Sequence, residues 1–167
     1  MELDLRGVMR HFATGVGVVS THTAAPDAPG ARRHDAITVN SLALASYDPP
    51  LVSLCLRRES AFLADLLAAK VWAVSILGAD GAETAGALAR GREHRGPVID
   101  SLPATTGGQT GALILSGLGW LECALSESFV AGDHLMVIGE VLACGVTEAR
   151  DALVFLNGAL RPALAAR

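Results

Sequence analysis

Short apolar runs bounded by Gly, Pro and Asp turns make up much of this chain, and only a few stretches show a helical period. Leu5, Val8, Met9 and Phe12 recur at helical spacing and predict a short amphipathic helix over residues 3–12. Thr14-Gly15 breaks it, and GVGVVSTHT (15–23) reads as the first strand. Residues 24–35, with Pro26, Pro29 and Gly30, predict a long exposed hairpin connection that holds the charges of Arg32-Arg33-His34. A second strand runs from Ile37 through Ser46, Tyr47-Asp48-Pro49-Pro50 turns a corner, and a third strand covers 51–56. Ser60 predicts the N-cap of a helix whose apolar face is Phe62, Leu63, Leu66 and Leu67. VWAVSIL (71–77) is a strand and Ala82 to Arg90 a helix, while residues 91–112, rich in Gly, Pro and Thr, predict irregular structure. One or two strands over 113–130, a turn at 131–133, a strand over 134–147 and a closing strand over 151–160 complete the pattern. About six or seven strands joined mostly by turns, with two or three helices, predict a mainly β chain forming a closed or nearly closed antiparallel barrel.

Composition narrows the class. The chain has 167 residues, the length of one domain, and residues 1–167 are read as a single domain. Hydrophobic residues make up 51% and charged residues 18%, more apolar than the surface of a lone monomer requires, so a homodimer or other homo-oligomer is expected. A net charge of −4 without a basic stripe argues against nucleic acid as a partner. No apolar run approaches the roughly 20 residues of a membrane helix. MELDLRGVMR lacks a hydrophobic secretory segment, so a cytoplasmic protein without membrane attachment is expected. Cys55, Cys123 and Cys144 show no CxxC spacing and read as reduced thiols. The five histidines show no metal-ligand spacing, so no metal site is expected.

Two motifs fail their context tests. Gly15-Val16-Gly17 has no third glycine at Ser20 and opens a strand, which excludes a dinucleotide-binding loop. Ser116 lacks the glycine two residues earlier that a nucleophile elbow needs. Gly132-Asp133-His134 is a tight turn that delivers His134 to a strand start, on the face of Met136 and Ile138, beside an acid able to orient its ring. In the second strand Thr38, Asn40 and Ser46 share parity, with Ser41 opposite. Such polar positions suit the edge of a flat polar ring or a phosphate, or else a strand bonding its own turn; spacing alone leaves both readings open.

TVNSLALASYDPPLVSLCL (38–56) resembles the signature of the flavin reductase domain family, the small reductase components of two-component flavin-dependent monooxygenases. FATGVGVVST (12–21), WAVSIL (72–77), LECALSESFVAGDHLMVIGEV (121–141) and residues 152–164 resemble that family's other segments in the same order, so the likeness spans roughly residues 8–164. The resemblance implies a split β-barrel homodimer that binds FMN or FAD, reduces it with NADH or NADPH, and releases it to a separate monooxygenase. It places Thr38, Val39, Asn40 and Ser41 beside the isoalloxazine edge, and Ser46, Asp48 and Pro49 at the next flavin-contacting positions. Cys55 to Ser60, Arg57 included, fall where ribityl and phosphate groups sit, and His134 falls beside the nicotinamide. A helix N-terminus at Ser60 with Arg57 or Arg58 nearby suits an anion on dipole grounds. A split-barrel flavoprotein that retains its flavin to oxidise a small substrate, and a flavin-binding module with little reductase activity, are the alternatives.

Overall fold

A computed structural model describes residues 3–147 and 151–163. In chain order the elements are α1 (Leu5–Met9), β1 (Thr14–Gly15), β2 (Gly17–Ala24), β3 (Arg32–Val39), β4 (Ala43–Tyr47) and β5 (Pro50–Arg57). They continue with α2 (Ala61–Ala69), β6 (Val71–Ile76), α3 (Ala82–Leu88), α4 (Arg92–Ser101), β7 (Ala104–Thr106) and β8 (Leu113–Leu115). The long hairpin of β9 (Gly119–Ala131) and β10 (His134–Val146) follows, then β11 (Ala152–Leu156) and β12 (Ala159–Ala163).

Seven strands form one antiparallel sheet in the order β3-β2-β6-β9-β10-β5-β4. Its two edge strands, β3 and β4, are consecutive in the chain and joined by residues 40–42 alone. A flat sheet would hold its edges about 29 Å apart, six inter-strand spacings of about 4.8 Å. The link from Val39 to Ala43 spans at most about 14 Å when fully extended. The sheet must therefore curl until its edges nearly meet, which is the expected split antiparallel barrel. The seam lies where β3 gives way to β4, and Ser41 stitches it: its hydroxyl donates to the Cys55 carbonyl at 3.0 Å and accepts from the Cys55 amide at 3.2 Å.

The curl gives the apolar face of each strand an enclosed interior. On β5, Val52, Leu54 and Leu56 point inward while the intervening residues are half-exposed. They pack with Phe62, Leu63 and Leu66 of α2, which closes one end of the barrel. Trp72 is fully buried in this cluster, and Gly139 leaves room for its ring, since a Cβ there would collide with the indole. A second cluster joins Val18, Leu77, Leu88, Ile99 and Leu153, seating α3 and α4 against β2 and β3.

Several expectations need correction. The second strand is not continuous: it divides into β3 and β4 at residues 40–42 because the chain crosses the seam there. β3 begins at Arg32, so Arg32, Arg33 and His34 lie on a strand paired to β2 rather than in a loop. Residues 92–101 form α4 instead of irregular chain, and 104–106 pair with 113–115 as β7 and β8. The closing strand is a hairpin, β11 and β12, turned by Asn157 and Gly158, both at positive φ, and joined to β1 in a separate three-stranded sheet. No helix among the described residues is long and apolar enough to cross a membrane.

Candidate functional site

The seam is also a cleft. A cavity of about 420 Å³ opens there, and its walls come from four places that the fold brings together: residues 37–41, the β5 end at 55–57 with Ser60, the α3–α4 corner at 88–90 with Arg95, and His134. The volume lies within the range of small-molecule sites. Of the sequence-predicted residues, Thr38, Val39, Asn40, Ser41, Cys55, Arg57, Ser60 and His134 line it. Ser46, Asp48 and Pro49 do not; they sit on the β4–β5 hairpin, where Ser46 pairs with Leu51. Shared parity failed for Ser46 because the chain breaks at 40–42 and the β4–β5 register shifts between Leu44 and Ser46.

Local bonding decides what each side chain has left to offer. Thr38 Oγ1 donates to the Ala85 carbonyl of α3 at 2.7 Å, so its hydroxyl fastens β3 to a helix. Asn40 Nδ2 donates to Thr14 Oγ1 at 3.2 Å, and its amide oxygen has no partner among the described residues. The Ser41 hydroxyl is spent on the Cys55 backbone. Ser60 precedes α2 but makes no side-chain cap; the Ala64 amide bonds the Ser60 carbonyl, and the amides of the first turn before it have no helical partner. They carry the positive end of the helix dipole to the cleft.

His134 starts β10 opposite Arg57 of β5. The Arg58 amide donates to the Asp133 carbonyl at 3.1 Å, tying this turn to the β5 end. His134 Nδ1 lies 2.8 Å from Asp133 Oδ1. Nδ1–H donates to that carboxylate, which fixes the ring and leaves Nε2 without a protein partner among the described residues. The bond to His134 and then its charge hold the Asp133 carboxyl below its ordinary range, with a smaller contribution from Arg57.

Sequence reading missed Leu88, Ala89, Arg90 and Arg95, which the helices swing to the seam from far along the chain. Arg57, Arg90 and Arg95 are three cations in a cleft that no carboxylate of the described residues lines. A larger cavity, about 670 Å³, lies near the β2–β3 turn and α4, but its charged residues include Arg33, Arg92 and Asp35, already paired with acids or arginines. The seam cleft is the better ligand site because the Asn40 amide oxygen, the Arg57 and Arg90 guanidiniums and His134 Nε2 converge there without a hydrogen-bond partner among the described residues. Open amides, guanidiniums, an amide oxygen and a half-exposed imidazole fit a ligand with a polar ring edge and a phosphate. Among the described residues no cluster of His, Cys, Asp or Glu is arranged to hold a metal ion.

Comparison with known proteins places these features in context. Residues 9–164 match the family model described as the flavin reductase like domain. An NADH-dependent FAD reductase of Streptomyces globisporus is 30% identical over 164 residues, covering 95% of this chain and 84% of its own. The NADH-dependent flavin reductase StyB of Pseudomonas fluorescens is 30% identical over 141 residues, 83% of this chain and 75% of its own. Among solved structures, the flavin reductase component of a bacterial two-component tryptophan halogenase superimposes with a TM-score of 0.83 at 35% identity, covering 95% of both chains.

Proposed function

The chain belongs to the flavin reductase-like family, and from that premise we propose that it is an NADH:flavin oxidoreductase that takes up FMN or FAD in the seam cleft and supplies the reduced flavin to a separate monooxygenase. One observation carries the placement: the Asn40 amide oxygen, Arg57, Arg90 and His134 Nε2 converge on the cleft without a hydrogen-bond partner among the described residues, and no carboxylate of those residues lines it. Bound flavin supplies the hydride-accepting chemistry; the protein supplies position and shelter.

Each residue then has a distinct task. Asn40 offers its free amide oxygen, and residues 38–41 offer their backbone, to the polar edge of the ring. Thr38 and Ser41 keep that backbone in place through Ala85 and Cys55. Arg57 and the open first turn behind Ser60 receive the phosphate. His134 orients the nicotinamide through Nε2, with Asp133 fixing the ring; it is not an obligatory base. Ser46, Asp48 and Pro49 are left out of this cradle. The resemblance left NADH and NADPH both open as donors, and running the oxidation assay with each nucleotide decides between them.

The proposal includes a cytoplasmic homodimer. Phe129, Val130, Leu142 and Val146 of the β9–β10 hairpin are 51%, 67%, 45% and 92% exposed, and Leu5, Val8 and Met9 of α1 are also uncovered. Apolar surface of this extent supports a two-fold contact between copies. Light scattering reads it, and a monomer at micromolar concentration with full activity rejects it.

The test of function is NADH oxidation with FMN, FAD or riboflavin as acceptor. Flavin-dependent turnover is expected, with Asn40→Ala raising the flavin KM. Absence of flavin-dependent turnover refutes the proposal, and yellow flavin retained through dialysis with slow NADH oxidation favours a flavin-holding protein instead.

A further inference from the structure

The wall between the seam cleft and the larger cavity is an ion cluster. Asp35 of β3, 3% exposed, accepts from Arg95 Nε and Nη2 at 3.2 and 2.8 Å and from Arg92 Nη2 at 2.6 Å. Asp65 of α2 accepts from Arg92 Nη2 at 2.6 Å and from Arg33 Nη2 at 3.1 Å. Three guanidiniums thus face two carboxylates, which leaves positive charge behind the cleft. The cluster also ties β3, α2 and α4 together, and these elements carry or adjoin three of the cleft's walls.

Arg95 is the member that reaches the cleft. It is only 7% exposed, and Asp35 takes up one side of its fork. Its Nη1 donates at 2.8 Å to the carbonyl of Arg90. That carbonyl belongs to the corner between α3 and α4, where backbone bonding is thin: the Arg90 amide reaches the Ala87 carbonyl only at 3.4 Å. The Arg90 side chain is exposed, lines the cleft and makes no ion pair among the described residues. A buried cation held rigidly from behind therefore fixes the backbone of an exposed cation in front.

We infer that Arg95 is a positioning residue for the phosphate end of the ligand: anchored by Asp35, it holds the Arg90 carbonyl and so aims the Arg90 guanidinium at the flavin phosphate. The inference rests on flavin occupying the seam cleft. Riboflavin, which has the ring but no phosphate, separates this role from general support of the fold. Arg90→Ala removes the aimed group. Arg95→Lys keeps the charge beside Asp35 but lacks the planar fork that spans both Asp35 and the Arg90 carbonyl.

Both variants are expected to raise the KM for FMN about tenfold, the loss of roughly one hydrogen bond to a charged group. The KM for riboflavin and the kcat stay within about twofold of the parent protein, as for an interaction made in binding and kept through the reaction. The double variant is no worse than Arg90→Ala alone, because Arg95 acts through Arg90. Equal rises for FMN and riboflavin, or additive losses in the double variant, overturn the inference. Arg90 is exposed, so Arg90→Ala leaves the fold intact; unchanged preference for FMN over riboflavin in that variant overturns it even if Arg95→Lys does not fold. Asn40→Ala tells the two failures apart. If it raises the KM for both flavins while Arg90→Ala changes neither, only this inference falls; if it too changes neither, the placement of flavin falls with it.

Discussion

Ser41→Ala tests the seam itself. β4 pairs with β5 only from Tyr47↔Pro50 to Ala43↔Ser53, so Cys55 has no strand beside it on that edge. The Ser41 hydroxyl takes the place of the missing strand, accepting from the Cys55 amide and donating to its carbonyl. Removing the hydroxyl leaves both groups without a protein partner in a half-buried position. Each bond is worth a net of about 0.5–1.5 kcal/mol, and water reaches part of the site, so the loss should total about 1–3 kcal/mol of folding stability. Equilibrium urea unfolding measures it as a lower midpoint at constant slope. FMN affinity, followed by fluorescence quenching, should weaken by less than about tenfold, since the hydroxyl faces Cys55 and not the ligand. Ser41→Thr, which keeps a hydroxyl, should recover part of the stability. Unchanged stability together with a greater than tenfold loss of FMN affinity would show that the hydroxyl serves the ligand and refute this account of the seam.

Other perturbations follow from the same geometry. His134→Ala should raise the KM for NADH more than it weakens flavin binding; the opposite pattern removes His134 from the nicotinamide position. Burial, then the charges of His22 and Arg32, hold the His34 imidazolium below its ordinary value of 6.5. The folded chain therefore takes up that proton less readily than the unfolded one, and stability should fall as pH drops through about 6.5. His34→Asn should flatten the slope of unfolding free energy against pH in that range, and identical slopes would exclude His34 as its source. Burial, and next the Glu122 charge, push the Cys123 thiol up to about 12, which makes it inert, while Cys144 is exposed and Cys55 lines the cleft. A maleimide should label Cys55 and Cys144, and saturating FMN should protect Cys55 alone; labelling of Cys55 indifferent to FMN would place the flavin elsewhere.

What the sequence by itself determined lies where neighbours along the chain settle the structure. Alternation placed β5, and continuous apolar, β-branched runs placed β6, β9 and β10, because apolar segments this short must enter the interior whatever they meet there. The spacing of Phe62, Leu63 and Leu66 likewise placed α2. TVNS, the CLRRES end of β5 and GDH brought most of the cleft's residues into view, since each sits on its own short segment, whereas the DPP corner lies outside the cleft. Tertiary structure decided the rest. Gly96 and Pro97 speak against a helix over 92–101, yet α4 forms there because burying Arg95 demands Asp35, a partner 60 residues away. The Arg90 backbone is held at the cleft through that same Arg95, and Leu88 by packing with Val18, Leu77 and Leu153, and no local window contains either. The break at 40–42 and the bond from Ser41 to Cys55 arise from the curl of seven strands, which brings the edges of the sheet together through pairings spread over the whole chain. A buried charge and a closing seam are satisfied by long-range partners, and these are chosen by the assembled sheet rather than by neighbouring residues.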